Sequence, residues 1–224
     1  MSFQTIDRHG MLIRAQALGK IATNSYIVGC EATGQGAVID SCAQIDAIEA
    51  MTKAKPALTV SSLLQTHAHI DHVAALAQAR TLFDAPIYIH PDEMPLYEAA
   101  PLQGQMFGIH TPPLPPPDKF WSDGDEVTIG QLTGQVMLTP GHTPGHVCLY
   151  FEAQKVLFSG DLLFAGSIGR TDLPGGHAPT ILKSLLRVVE LPDDTLVLSG
   201  HGPATTIGRE KTHNPFIRMA RERA

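Results

Sequence analysis

Residues 66–72 read Thr-His-Ala-His-Ile-Asp-His and bring three imidazoles and one carboxylate into a short stretch. Histidine and aspartate are suitable ligands for divalent transition metals. His67 and His69 are two residues apart at the end of an apolar, extended segment, so their side chains point the same way, whereas Asp71 and His72 turn toward a different point. Two ligand pairs with diverging directions predict two adjacent metal ions, as in a binuclear metallohydrolase.

Further histidine and aspartate residues stand at the ends of strands predicted later in the chain. His142, Asp161 and His201 each follow such a strand directly after a glycine, which lets the backbone turn sharply and approach a neighbour closely. A capped turn or a hydrogen-bonded loop would explain any one of them alone, but the three occur together with the first motif. The candidate metal ligands are therefore His67, His69, Asp71, His72, His142, Asp161 and His201.

The other histidines lack this setting. His146 lies in the same glycine-rich turn as His142 but continues into a predicted strand, so we interpret it as a residue that orients the turn. Surface or structural roles are expected for His9, His90, His110, His177 and His213.

Apolar periodicity predicts an α/β chain. It predicts strands at 11–18, 25–30, 36–39, 58–64, 86–90, 126–129, 132–138, 146–151, 155–159 and 195–198. Helices are predicted at 44–51, 73–77 and 180–189, and Asp71 is a candidate N-cap of the second. Residues 101–119 contain six prolines, which argues against a helix or central strand and predicts a long surface connection. Together these elements predict one domain of sheets covered by helices.

Composition narrows the class of protein. The chain of 224 residues has a net charge of -6, which disfavours an extended phosphate-binding surface and hence nucleic acid as a partner. Residues 1–20 hold no long apolar run, so we expect neither a signal peptide nor a membrane span, and a cytoplasmic location. The three widely spaced cysteines are expected to be reduced, mostly buried thiols.

Over nearly its whole length the chain resembles the metallo-β-lactamase superfamily and, within it, the glyoxalase II (hydroxyacylglutathione hydrolase) branch. The family pattern H-x-H-x-D-H corresponds to residues 67–72, followed in the family's order by His142, Asp161 and His201. The resemblance implies an αββα sandwich, in which two mixed β-sheets lie face to face with helices outside. It also places the site among strand-end loops at one edge of the sheets.

The resemblance assigns roles to the candidate ligands. One metal ion would be held by His67, His69 and His142, and the other by Asp71, His72 and His201. Asp161 and a water or hydroxide would bridge them, so that Asp71 and Asp161 act with a metal-bound hydroxide on a thioester carbonyl. Zinc is the first choice of metal, and iron or manganese fit the same donors. Aspartate at 161 disfavours a β-lactamase, because many true β-lactamases of the superfamily have cysteine there.

The substrate is expected to be S-lactoylglutathione or a related acyl thioester. Glyoxalase II proper has a helical, glutathione-binding C-terminal domain, but only 23 residues follow His201, so we expect a single domain over 1–224, as a monomer or homodimer. Single-domain bacterial glyoxalase II-like hydrolases resemble it best, at 169–172, 205–210 and 214–216. Arg170 is a candidate substrate contact, with a salt bridge to Asp172 as the alternative. Arg209 and Lys211 are further candidates, with a solvated helix start as the alternative.

Three other functions share part of this sequence pattern. Persulfide dioxygenases resemble the same motifs, including Gly-Arg-Thr-Asp, but bind one iron through two histidines and an aspartate. A non-catalytic binding module of this fold would be expected to lack ligands, and all seven are present here. A nuclease of the superfamily is disfavoured by the acidic charge.

Overall fold

A seven-stranded sheet forms one half of the protein, whose computed structural model describes residues 3–223. The sheet order follows the chain: β1 Gln4–Arg8, β2 Met11–Leu18, β3 Thr23–Cys30, β4 Gln35–Ile39, β5 Thr59–Leu64, β6 Ile87–Ile89 and β7 Lys119–Phe120. Strands β1 to β4 form the antiparallel meander expected from the sequence. Strands β4 to β7 are parallel, so this sheet is mixed.

A second, six-stranded sheet is built from the later part of the chain. Its strands are β8 Glu126–Ile129, β9 Leu132–Leu138, β10 Val147–Phe151, β11 Val156–Gly160, β14 Leu196–Ser199 and β15 Thr205–Thr206, in the order β15-β14-β11-β10-β9-β8. Only the β11–β14 pair of this sheet is parallel. A small hairpin of β12 Leu163–Phe164 and β13 Ser167–Ile168 lies between β11 and β14 in the chain.

Eight α-helices connect and cover the sheets within residues 3–223. They are α1 Ile45–Lys53, α2 Ile70–Val73, α3 Leu76–Phe83, α4 Met94–Glu98, α5 Ala100–Phe107, α6 Ala178–Val188, α7 Ile207–His213 and α8 Pro215–Glu222, with a 3-10 turn at Pro91–Glu93. In this described part of the chain no helix combines the length and apolar character needed to cross a membrane.

Alternating side chains divide the apolar residues into three layers. Met11 and Ile13 of β2 pack between the two sheets, whereas Leu12 between them packs on the other face with residues of α1 and α3. In the second sheet Phe158 of β11 faces the inter-sheet core, and its neighbour Leu157 packs with residues of α6, α7 and α8. This period of two places helices on both outer faces and confirms the expected αββα sandwich.

Three local predictions were wrong. The helix predicted at 73–77 is interrupted, since α2 ends at Val73 and α3 begins at Leu76. Asp71 is not an N-cap, because His69 occupies that position and Asp71 lies inside the one-turn helix α2. The proline-rich connection contains a helix, α5, at its start. Pro101 is tolerated there because it lies in the first helical turn, where its missing N–H would have had no partner in the helix. The irregular part is therefore limited to residues 108–118.

Candidate metal centre

The candidate ligands meet where strands of both sheets end. Parallel neighbours end at the same edge of a sheet, and β4 and β5, like β11 and β14, are parallel neighbours. Backbone hydrogen bonds then join the two sheets at this edge, from Val147 N to Thr66 O (2.9 Å) and from Asn24 N to Gly200 O (2.7 Å). The loops that carry the ligands are thereby held together.

All seven predicted ligands lie in one cluster. Within each of three groups the potential ligand atoms are no more than 4.8 Å apart, and the groups are His67/His69/His142, Asp71/His72/His201 and His67/His72/Asp161. Asp161 stands between the first two groups. Its carboxylate lies 3.5 Å from His142 Nε2, and 3.4 Å from both His72 Nε2 and His201 Nε2. This arrangement suits two divalent cations that share Asp161.

Several inward-facing atoms of this cluster lack a hydrogen-bond partner. Nε2 of His67, Nε2 of His72 and Oδ1 of Asp161 are buried and unpaired. Buried polar atoms are nearly always paired, since desolvation without a partner is costly. His69 Nδ1 also approaches His142 Nε2 to 2.8 Å. Unpaired nitrogen and oxygen donors that converge on common points fit the coordination of a metal such as zinc, iron or manganese.

Asp40, at the end of β4, sets the tautomers of two of these histidines. Its Oδ2 accepts hydrogen bonds from His72 Nδ1 (2.8 Å) and from the hydroxyl of Thr66 (2.8 Å). Because that hydroxyl donates to Asp40, it accepts from His67 Nδ1 (3.0 Å). When these imidazoles are neutral, the hydrogen bonds therefore keep the proton on Nδ1 and leave the lone pair of Nε2 directed into the cluster, as metal ligands require.

Glu93 connects two of the ligand loops. It is fully buried, and its Oε2 accepts from Ala68 N (2.7 Å) while Oε1 accepts from Gly145 N (2.8 Å). Ala68 lies between two ligands of the first motif, and Gly145 belongs to the turn that carries His142. Burial raises the pKa of Glu93, although these hydrogen bonds oppose the rise. Gly145 has no room for a side chain, since a Cβ would lie 2.9 Å from Glu93 N.

Sequence reasoning did not identify Asp40 or Glu93. Neither belongs to a recognisable motif, and each lies more than 20 residues along the chain from the ligands that it supports. A weak signal exists for Asp40, which follows a predicted strand as His142, Asp161 and His201 do. For Glu93 the sequence offers no such signal.

His146 has the supporting role that the sequence predicted. Its Nε2 accepts from the backbone N–H of Asp161 (3.0 Å), and its Nδ1 bonds the hydroxyl of Thr139 (2.9 Å). Burial lowers the pKa of His146 to about 3, so the ring is neutral near pH 7 and remains an acceptor. The imidazole therefore fixes the backbone of Asp161 and, through Thr139, contacts the start of the turn that carries His142.

The carboxylates of the cluster are anionic. Burial alone would raise the pKa of Asp71 and Asp161, but His72 and hydrogen bonds from His201 lower both pKa values overall. Burial has the opposite effect on an imidazole and alone would lower the pKa of His201. Its hydrogen bonds to Asp161 and Asp71 outweigh burial and raise that pKa to about 9. The protein's own charges thus favour positive charge at this point, which a divalent cation would supply.

Two of the three predicted substrate-binding residues, Arg170 and Lys211, bind other groups of the protein through their side chains. Arg170 forms a two-pronged, exposed ion pair with Asp172 (2.6 and 2.7 Å), while its backbone oxygen accepts from His142 Nδ1 (2.7 Å). Arg209 is exposed on α7. Lys211 donates to Leu191 O (3.1 Å) and Asp193 Oδ1 (2.7 Å). Substrate contact by these three cations stays a prediction.

Known proteins with similar sequences come from several bacteria. A protein of Aquifex aeolicus is 43% identical over 92% of this chain and 97% of its own length. The probable metallo-hydrolase YqgX of Bacillus subtilis is 38% identical, over 91% of this chain and 96% of its own. The hydroxyacylglutathione hydrolase GloC of Haemophilus influenzae is 38% identical, over 71% of this chain and 77% of its own.

Solved structures extend the similarity to the fold. BLEG-1, a B3 metallo-β-lactamase, superposes with a TM-score of 0.85 at 38% identity, covering 92% of this chain and 99% of its own. TTHA1623 in a di-iron-bound form superposes with a TM-score of 0.83 at 39% identity, covering 90% of this chain and 98% of its own. ETHE1 from Myxococcus xanthus superposes with a TM-score of 0.73 at 29% identity, covering 99% of this chain and 90% of its own. The family model of the metallo-β-lactamase superfamily matches residues 18–201, and the chain belongs to that superfamily.

Proposed function

We propose that this protein is a binuclear metal-dependent hydrolase of acyl thioesters, with S-lactoylglutathione or a related compound as its substrate. The position of Asp161 between two donor groups, 3.4 to 3.5 Å from a ligand nitrogen of each, is the observation that carries the proposal. A metal-dependent hydrolase agrees with the superfamily and with the relative named a probable metallo-hydrolase. The thioester is supported by the relative named hydroxyacylglutathione hydrolase.

Two divalent ions, when bound, would supply hydroxide near neutral pH and stabilise negative charge on the acyl oxygen. The net reaction forms a C–O bond to water oxygen and breaks the C–S bond, and the two protons of water are divided between the acid and the thiol. The role of the chain is to hold donors in place: Asp40 and Thr66 fix two histidines, and Glu93 fixes the loops.

A covalent mechanism through Cys42 or Cys148 has no support in the structure, and Cys30 lies at the other end of β3 from Thr23, the residue that contacts Asp71. Burial raises the pKa of Cys148 to about 12, and burial also raises that of Cys42. Both thiols therefore stay protonated at neutral pH, whereas the thiolate is the nucleophile. Direct attack by an activated water agrees better with these side chains.

The persulfide dioxygenase is the alternative. Its single iron needs two histidines and one aspartate, with open positions for oxygen and substrate. Here Asp71, His72 and His201 form a further donor group beyond that requirement. This second group could hold a second metal ion, but persulfide dioxygenases also resemble these outer ligand motifs, so metal content is the observation that separates the two functions.

Metal content and activity together test the proposal. Metal-free protein is reconstituted separately with zinc, manganese and iron, and each form is assayed for hydrolysis of S-D-lactoylglutathione and of a cephalosporin, and for oxygen uptake with glutathione persulfide. We expect two metal ions per chain and thioester turnover. One iron per chain with oxygen uptake would refute the proposal, and turnover of the cephalosporin alone would identify a β-lactamase instead.

A matched pair of variants checks the second metal. His72→Ala removes a buried ligand candidate, whereas His213→Ala removes an exposed imidazole at the end of α7. We expect His72→Ala to bind one metal fewer and to lose most hydrolysis, and His213→Ala to behave as the wild type. Retention of full metal content and oxygen uptake by His72→Ala would support the dioxygenase.

Location and assembly belong to the same proposal. A cytoplasmic protein with reduced thiols agrees with three free, buried cysteines. We propose a monomer or homodimer that acts on a small molecule, with neither nucleic acid nor a membrane as partner. Light scattering after size-exclusion chromatography measures the assembly state.

A further inference from the structure

A cavity of about 240 Å³ adjoins the metal centre on the side of Asp71. One wall is the turn between β2 and β3, and the opposite wall is the segment that follows α5. Its side chains are mainly apolar, with Leu18, Ile21, Ala43 and Ile109 among them. An apolar cavity of this kind selects for apolar parts of a ligand.

Asp71 places this cavity next to the reacting atoms. Its Oδ2 lies 3.2 Å from His201 Nε2 and 3.5 Å from His72 Nε2, and it accepts a hydrogen bond of 2.7 Å from the hydroxyl of Thr23, which also lines the cavity. If the carbonyl group of an acyl substrate lies at the metal centre, the acyl chain attached to it can therefore reach the cavity.

The walls of the cavity are tied together in the structure. Lys20 Nζ donates to Gly108 O (3.0 Å), which joins the β2–β3 turn to the end of α5. Gly19 N, at the start of the same turn, donates to the side-chain oxygen of Gln44 (3.3 Å). Gly19 also leaves the cavity clear, because a Cβ there would lie 3.2 Å from that of Ala43. The cavity is thus preformed, which lowers the entropic cost of binding.

We propose that this cavity binds the acyl chain of the substrate, and that the protein hydrolyses thioesters of apolar acyl groups of several carbons better than lactoyl or acetyl thioesters. The inference rests on the proposed function. At about 30 Å³ per water molecule the cavity has the volume of about eight waters, enough for a short acyl chain. A lactoyl hydroxyl would meet mainly apolar walls and lose hydrogen bonds to water.

A series of substrates with one thiol tests the preference directly. The zinc-loaded wild-type protein is assayed with the acetyl, butanoyl, hexanoyl and D-lactoyl thioesters of glutathione. Burial of each added methylene should raise kcat/KM by about fourfold until the cavity is full. A flat series, or a preference for lactoyl over butanoyl and hexanoyl, overturns this inference alone. Absence of turnover with every thioester overturns the proposed function and, with it, the inference.

Two variants locate the effect in the cavity. Ala43→Phe fills it, and Ala50→Phe makes the same change on the exposed face of α1. Ala43→Phe, whose folding is checked by its thermal unfolding, should lose the gain for hexanoyl over acetyl. Ala50→Phe should keep the whole series. If Ala43→Phe does not fold, Ile109→Ser is used instead and should halve or further reduce the hexanoyl-to-acetyl ratio. An unchanged ratio in the folded cavity variant overturns the inference.

Discussion

Replacing Glu93 by glutamine keeps the size of the side chain and removes its charge. Glu93 accepts two backbone hydrogen bonds, from Ala68 N and Gly145 N, in a site without solvent access. In Glu93→Gln the amide oxygen can accept only one of them, and the NH2 group faces the other donor. One charge-assisted hydrogen bond is lost and one backbone N–H is left unpaired.

The cost can be worked out from these contacts. A lost bond of this kind, with a buried donor left unpaired, corresponds to about 2 kcal/mol of unfolding free energy. For a chain of this size that lowers Tm by about 4–8 °C. The ligand loops also lose their common anchor, and displaced supporting residues typically cost about 10–100-fold in metal affinity or activity.

The structure further predicts which metal site is affected. Glu93 holds the backbone beside ligands of one group, because Ala68 lies between His67 and His69 and Gly145 belongs to the turn of His142. The other group is not contacted in this way, since Asp71 and His72 follow in α2 and His201 lies in a separate loop. We therefore expect Glu93→Gln to weaken one of two metal-binding steps by about 10–100-fold, to leave the other nearly unchanged, and to lower kcat more than it raises KM.

Titration of metal-free protein with Co²⁺, followed by visible absorption, separates the two binding steps. Thermal unfolding of the metal-free protein measures the change in Tm, and steady-state kinetics give kcat and KM. Glu98→Gln is the matched control, because Glu98 is an exposed carboxylate on the neighbouring helix α4. Equal weakening of both binding steps, or wild-type affinity and kcat in Glu93→Gln, would refute the positioning role of Glu93.

Three further predictions concern other contacts of the site. Asp40→Asn should weaken binding of the metal held by His72 by about 10–100-fold, because the amide has only one acceptor oxygen, so that either Thr66 N or His72 Nδ1 loses its acceptor, and metal titration measures this. Gly200→Ala should abolish activity and lower metal content, because its Cβ would lie 2.1 Å from Asp161 Oδ1, as elemental analysis and the thioester assay would show. The Tm of the metal-free protein should fall as pH rises from 6.5 through about 9. The reason is that folding raises the pKa of His201 from about 6.5 in the unfolded chain to about 9, so the stability contributed by the protonated ring is complete below pH 6.5 and is lost above pH 9. Added zinc should oppose this fall.

Each of these predictions has an outcome that would contradict it. For Asp40 it is wild-type metal affinity in a folded variant. For Gly200 it is full activity with alanine, and for His201 a Tm of the metal-free protein that is constant or rises between pH 6.5 and 9.

The sequence alone determined much of the fold. Strands predicted at 11–18, 126–129 and 132–138 coincide with β2, β8 and β9, because each alternates or concentrates apolar residues over a length that a strand requires. The prediction of secondary structure failed at residues 101–107, where the local sequence is compatible with either a loop or a helix. Pro101 is compatible with the first turn of a helix as well as with a loop, and tertiary packing selected the helix.

The seven candidate ligands could also be found from the sequence, because their types and their positions after glycine and strand ends are local features. What connects them is not local. Only the folded chain brings Asp40 to His72 and Glu93 to Ala68, directs Arg170 to Asp172, and closes a cavity between the β2–β3 turn and the end of α5. These contacts join residues distant in sequence, or select one of several partners for a mobile side chain, and so depend on tertiary packing rather than on any pattern of neighbouring residues.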